Sequence, residues 1–242
     1  FLTGAPWDFA GTPQHHYPLE KHHTYAELYR RQVVKQADVV AAHWLAGEEV
    51  PLEQQRRDLA HYEGITVRDS SLSSPAHAVV AARVGWSALA HDHLREAALL
   101  DLHDLEGDVV DGLHVAALAG VWAGLVMGFG GLRTARPGDA LPDDRLPDDR
   151  LHLAPRLPPG LTGLRFGVRH RGVRVRVEVE PEKVRYRLVD EAPDGALVLV
   201  HHGEPVTLTV DEPAVVRGVP PLADVGPEPS PPPGRELRRP AP

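Results

Sequence analysis

Arg68-Asp69-Ser70-Ser71-Leu72-Ser73-Ser74-Pro75 closes a polar segment and opens an apolar helix, and the chain is read outward from it. Pro at a first helical position with Ser just ahead of it marks a helix start. The first-turn N–H groups of such a helix have no intrahelical partner and favour an anion. Ser70 and Ser71 would add two hydroxyl donors. The stretch therefore reads either as a phosphate cradle or as a plain Ser-rich cap.

Upstream, residues 1–20 lack periodicity and read as an irregular loop. A helix is expected from Tyr25 to Gly47: Thr24 with Glu27 has the form of a capping box, and Leu28, Val33, Ala37, Val40 and Trp44 recur at helical spacing. Lys35, Gln36 and Asp38 interrupt this apolar run, and a buried Lys costs several kcal/mol unless paired. Either Lys35 pairs with Asp38 at i, i+3 on an exposed face, or Lys35 and Gln36 point into a polar cavity and bind ligand hydroxyls. A shorter helix follows over 51–62, with Leu52, Leu59 and Tyr62 as its apolar side.

Downstream, Pro75 to Val84 and Ser87 to Leu102 read as two Ala-rich helices, the second with Leu89, Ala90, Leu94, Ala97, Ala98 and Leu102 as its stripe. Leu113 to Phe129 is apolar nearly all round, which suits a buried core or a membrane span. A span needs about 20 residues. This run is shorter and holds His114, Gly120, Gly124 and Gly128, so it reads as core. His114 at its N-terminal end is either a satisfied core-edge histidine or a group beside a bound anion.

The period then falls to two. Residues 133–150 repeat Leu-Pro-Asp-Asp-Arg and form a polar, mobile linker. Leu164, Phe166 and Val168 alternate with polar residues or Gly. After the turn His170-Arg171-Gly172, Val173, Val175, Val177 and Val179 alternate with charges. Further strands are expected around Val184-Tyr186-Leu188, Leu197-Val198-Leu199 and Val206-Leu208-Val210, with turns at Asp194-Gly195 and His202-Gly203. Short strands so closely spaced predict an antiparallel sandwich. Residues 226–242 are Pro-rich and are expected to be disordered.

The net charge of −8 argues against nucleic acid or an acidic membrane as partner, and Glu178 and Glu180 break up the basic strand face. With no cysteine there is no disulfide or thiolate metal site. Among 15 histidines the tightest pairs, His22-His23 and His91-x-His93, lack zinc-ligand spacing, so no metal is expected. No basic segment precedes an apolar run, so no signal peptide is expected and a cytoplasmic protein is.

Four ordered stretches together resemble glycoside hydrolase family 65, which includes maltose, trehalose and kojibiose phosphorylases. They are Leu28 to Val40, Val67 to Ser73, Asp111-Gly112-Leu113-His114 running into Ala119-Gly120-Val121-Trp122, and Gly128 to Arg133. The resemblance covers about residues 17 to 210. It implies an α+β multidomain fragment: the last helices of an (α/α)6 barrel over 1–132, the linker over 133–150, a small antiparallel β-sandwich over 151–225, and the tail over 226–242. A barrel cut in this way should expose apolar faces that earlier helices would cover.

The resemblance also implies phosphorolysis of an α-linked glucosyl disaccharide with inversion, giving β-glucose 1-phosphate. Inorganic phosphate is the co-substrate and no cofactor is needed. By carry-over, Lys35 and Gln36 hold the glucose hydroxyls, and Ser70, Ser71 and His114 bind phosphate. The family's general-acid Glu lies upstream, and Glu20, Glu27 and Glu63 are not in its motif. The chain alone is thus expected to be inactive. Arg68 stands where many members have His, and it is read either as a further phosphate contact or as a salt bridge to Asp69 or another nearby carboxylate. The partners implied are a disaccharide and phosphate, and a homodimer of the full-length protein is compatible. A hydrolase of the same fold and a non-catalytic fragment are the alternatives.

Overall fold

A computed structural model describes residues 4–133, 150–192 and 195–238. The chain divides into two compact units: Phe1–Gly124 with Val225–Pro242, and Leu125–Asp224. The first break precedes the one expected after residue 132, and the C-terminal segment groups with the helices. Most of the expected linker, 134–149, and Asp194 of an expected turn lie outside the described residues.

In the first unit, β1 (Ala5–Pro6) pairs in parallel with β2 (Arg31–Gln32). The helix expected over 25–47 is two helices with an extended segment between. The Thr24 capping box is real, with Glu27 N donating to Thr24 Oγ1 and Thr24 N to the Glu27 carboxylate, but it caps only the single turn α1 (Tyr25–Leu28). Val34 then forms a β-bridge, its N donating to Ile65 O and its O accepting from Val67 N, and the chain bends at Lys35 and Gln36. A β-branched side chain suits the bridge. Helix returns only at α2 (Asp38–Ala46), which Gly47 ends as expected.

The core of this unit is α4 (Ser73–Val84), ten of whose twelve residues are buried. Around it lie α2, α3 (Leu52–Glu63), α5 (Ser87–Leu99) and α6 (Val115–Ala123). The buried face of α3 is Gln55, Leu59 and Glu63, not the expected Leu52, Leu59 and Tyr62: two polar residues point inward. On α6 Ala117, Gly120 and Ala123 are buried, whereas Val115 is 70% and Trp122 55% exposed. The all-round apolar run is thus covered on one side here, and Tyr29 (82% exposed) and Leu113 belong to the same uncovered surface type. Gly124–Phe129 continues past α6 as a π-helix. Among the described residues no helix is long and apolar enough to cross a membrane.

Two contacts relate α6 to α4. A Cβ on Gly120 would stand 2.4 Å from Pro75 Cβ, and one on Gly124 would stand 3.8 Å from Ala78 Cβ. Four residues along α6 thus match three along α4 in the same direction. The two helices run parallel, side by side, with their N-termini at one end of the unit.

The second unit is a two-sheet sandwich. One sheet has the order β3 (Leu151–Leu153), β7 (Ala196–His201), β8 (Glu204–Thr209); the other has the order β4 (Leu164–His170), β5 (Val173–Val179), β6 (Lys183–Leu188), β9 (Ala214–Gly218). All neighbours are antiparallel except β3 with β7, which are parallel. Val173, Val175, Val177 and Val179 face the shared core with Tyr186, Leu199 and Leu208, and the intervening charges face outward. The hairpins turn at Arg171-Gly172 and His202-Gly203, where both residues have positive φ, as a type I′ turn requires. Strands β3 and β9 were not expected from the sequence. In the core, the Tyr186 hydroxyl donates to His201 Nδ1 at 2.7 Å, and His201 Nε2 donates to Gly218 O.

Candidate functional site

The bend after β2 puts Lys35 and Gln36 on the wall of a cavity of about 500 Å³, shared with Leu19, Glu20, Tyr25, Tyr29 and Asp69. Lys35 does not pair with Asp38. With no helix between them the i, i+3 relation is lost, and Lys35 Nζ reaches Glu20 at 2.7 Å. Gln36 Nε2 donates to Asp38 Oδ1, and its Oε1 accepts from Ser70 Oγ at 2.7 Å. Gln36 is therefore tied directly to the Ser-rich loop.

That loop begins one turn ahead of α4, and the helix starts two residues earlier than Pro75 suggested. Pro75 is its third residue, Leu72 is the cap residue, and no side chain caps it. Ser73 N is taken by Ser70 O. The Ser70 and Ser71 side chains are half-buried. The helix itself offers fewer free donors than the sequence suggested, since one N–H is used and Pro75 has none.

His114 is the residue before α6. Asp101 holds it from two sides: His114 N donates to Asp101 Oδ2 at 2.9 Å and Nδ1 donates to Oδ1 at 2.6 Å, while Asp108 stands 3.5 Å from Nε2. The hydrogen bond to Asp101 raises the imidazole pKa above its usual 6.5 against the opposing effect of burial, and the Asp108 charge adds to it. The two carboxylates thus favour the cationic form of His114 and offset the unfavourable dipole at the helix N-terminus. Because α4 and α6 run parallel, His114 and the Ser70-Ser71 loop sit at the same end of adjacent helices.

Arg68 is buried and ion-paired. Its residue is 3% exposed, its φ is +56°, and its Nε donates to Glu96 Oε1 at 3.2 Å. The salt-bridge reading holds, with Glu96 rather than Asp69 as partner. Asp69 instead accepts from Leu19 N through Oδ2 and from Arg235 through Oδ1. Burial pushes its carboxyl pKa up despite those bonds.

Behind the loop lies a buried polar chain that sequence reading missed. Glu63 accepts from His77 Nδ1 at 2.6 Å and from His93 Nε2 at 3.0 Å; Ser74 Oγ donates to Glu96 Oε1 at 2.7 Å and lies 3.4 Å from His93 Nδ1. Burial opposes ionisation of Glu63, but the His93 ring and the two imidazole hydrogen bonds outweigh it and hold the carboxyl well below the usual carboxylate range. Burial lowers the His77 pKa and so favours the neutral ring; Nδ1 donates to Glu63, and the buried Nε2 has no hydrogen-bond partner. Ligand atoms of Glu63, His77 and His93 all lie within 4.8 Å of one another. The 2.6 Å contact is a hydrogen-bond length, whereas two ligands on one tetrahedral zinc stand about 3.3 Å apart. The cluster is therefore built as a hydrogen-bonded network. A signal for it existed in the sequence: Ser74 with His77 and His93 with Glu96 are polar i, i+3 pairs on otherwise apolar helix faces.

Residues 1–123 match the glycosyl hydrolase family 65 central catalytic domain, and residues 145–208 match the family 65 C-terminal domain. The chain belongs to glycosyl hydrolase family 65. It is 46% identical over 239 residues to an uncharacterized glycosyl hydrolase of Mycobacterium leprae, covering 98% of this chain and 28% of that protein. It is 37% identical over 213 residues to the alpha,alpha-trehalose phosphorylase of Geobacillus stearothermophilus, covering 88% of this chain and 26% of that protein. Among solved structures, "Putative kojibiose phosphorylase from human microbiome" superposes with a TM-score of 0.76 at 24% identity over 90% of this chain and 28% of that one, which bears on the fold alone. The chain thus spans little more than a quarter of the length of such relatives.

Proposed function

We propose that the whole protein is an inverting disaccharide phosphorylase acting on an α-glucosidic bond, and that this chain supplies its glucose and phosphate contacts. The observation that carries the reading is the 2.7 Å hydrogen bond between Ser70 and Gln36. It joins the residue pair expected to hold the sugar to the loop expected to hold phosphate. Lys35 and Gln36 hold glucose hydroxyls in the cavity; Ser70, Ser71 and the cationic His114 orient the phosphate. A phosphate oxygen forms the new bond to the anomeric carbon as the glycosidic C–O bond breaks, and the departing oxygen takes a proton from a Glu upstream of this chain. Phosphate replaces the water-activating carboxylate of an inverting hydrolase, so one carboxylic acid suffices.

The reading is favoured over hydrolysis by the loop expected to hold phosphate, which carries the hydroxyls Ser70 and Ser71 where an inverting hydrolase needs a second carboxylate. The protein is proposed to work on a disaccharide and phosphate, without nucleic acid or membrane, in the cytoplasm, with no cofactor. The test is an assay of the whole protein with trehalose, maltose and kojibiose. The expected result is sugar cleavage that requires inorganic phosphate and releases β-glucose 1-phosphate. Glucose release at the same rate without phosphate would show a hydrolase instead.

A further inference from the structure

The C-terminal Pro-rich segment, expected to be disordered, lies against the helical unit over its described residues. Glu228 accepts from Ala88 N and Leu89 N at 3.0 and 2.9 Å, satisfying two free donors at the start of α5. Gly234 O accepts from Gln14 Nε2 at 2.7 Å. Arg235 then does three things at once. Its Nε donates to Val67 O at 2.8 Å, its Nη2 donates to Asp69 Oδ1 at 2.8 Å, and its guanidinium stacks 4.1 Å from the Tyr17 ring centre. In return, the buried Arg68 donates through Nη2 to the carbonyls of Arg235 and Glu236. Arg238 N donates to Glu96 Oε2 at 2.7 Å, and its guanidinium reaches Glu106 at 2.6 Å.

These contacts converge on Val67, Arg68 and Asp69, the residues immediately before Ser70 and Ser71. Arg68 is held in a left-handed conformation that a non-glycine residue adopts only under constraint. Without the Arg235 side chain, Val67 O loses its charged donor and Asp69 keeps only Leu19 N, while Arg68 still reaches Glu96 and the strap's backbone carbonyls. A loop made of short polar side chains has little packing of its own to fix it.

We propose that residues 228–238 form a strap that fixes the Ser70-Ser71 loop in its ligand-ready conformation, with Arg235 as the principal positioning residue. Arg235 touches neither sugar nor phosphate; it acts through the Val67 carbonyl and Asp69. Its effect on phosphate rests on the function proposed above, whereas its effect on loop order does not.

The test compares Arg235→Ala with the unaltered whole protein by hydrogen exchange and steady-state kinetics. The amides of Leu72 and Ser73, which donate to Ser70, are expected to exchange about tenfold faster, with the amides of α3 unchanged. The phosphate KM is expected to rise about tenfold while the disaccharide KM stays within about twofold, a split that a general loss of stability does not produce. Arg235→Lys keeps the charge near Tyr17 but lacks the fork that spans Val67 O and Asp69, and it should fall between the two. If Arg235→Ala does not fold, Arg235→Lys carries the same comparison. Unchanged exchange at Leu72 and Ser73 in the folded variants overturns the strap, whatever the reaction. Should the unaltered protein turn over without phosphate, the proposed function fails and the exchange result alone decides.

Discussion

Replacing His114 with alanine is expected to lower phosphate-dependent kcat/KM of the whole protein about 10- to 100-fold, mostly through the phosphate KM. A hydrogen bond from a charged donor is worth about 1.5–3 kcal/mol, and each 1.36 kcal/mol is tenfold in rate. The charge of His114 comes from Asp101, which accepts from both its backbone N–H and its ring. The sign of the pH effect follows. The folded pKa lies above the usual 6.5, so the imidazolium persists to higher pH than a free histidine and is lost as pH rises through that raised value. Phosphate binding should weaken over the same window. Asp101→Asn removes the largest cause of the shift and should move the loss to lower pH. Comparing it with the unaltered protein at each pH cancels the ionisation of phosphate itself. Equal pH profiles for the two proteins would contradict this role for Asp101, and an unchanged phosphate KM in His114→Ala would remove His114 from the site.

The largest expected effect on stability comes from Glu63. The carboxylate is 1% exposed and serves two buried imidazoles. Removing one partner of a buried ionic network costs about 3–5 kcal/mol because the rest stays desolvated. Glu63→Ala should therefore lower the melting temperature of the whole protein by several degrees, and Glu63→Gln by less, since its amide oxygen still accepts one hydrogen bond. The pH sign is again fixed by direction. The Glu63 pKa is depressed on folding, so its contribution is present above the ordinary carboxylate pKa of 4.5 and is lost as pH falls through the depressed value. His77, whose pKa is lowered, adds a loss that sets in as pH drops below 6.5. Both variants should show a flatter acid dependence than the unaltered protein. A melting temperature for Glu63→Ala within about one degree of the original would show that the cluster is not the keystone of the helical unit.

What the sequence disclosed and what it hid follow from the range of the interactions. The alternation from Val173 to Val179 and the turns at Arg171-Gly172 and His202-Gly203 are local patterns, and the strands and hairpins they predict are present. The capping box at Thr24 is also local and also present. The helix predicted to follow it fails at Val33-Val34, because Val34 bonds to Ile65 and Val67, some thirty positions away. Arg68 was legible as a cation near acids, but its partner Glu96 is 28 residues distant. The partners of the tail are distant as well. Its proline content argued for disorder, while Glu228, Arg235 and Arg238 find partners more than 130 residues earlier in the chain. At the site, family resemblance named Lys35, Gln36, Ser70, Ser71 and His114; geometry joins Gln36 to Ser70 and holds His114 against Asp101 ahead of α6. The buried Glu63–His77–His93 cluster belonged to neither reading.

The central claim is that the Ser70-Ser71 loop and His114 hold one phosphate beside the sugar cavity. An experimental structure of the whole protein with phosphate tests it most directly. The account predicts phosphate oxygens about 2.7–3.2 Å from Ser70 Oγ, Ser71 Oγ and the His114 imidazole. Phosphate bound elsewhere, with those three side chains empty, would contradict it.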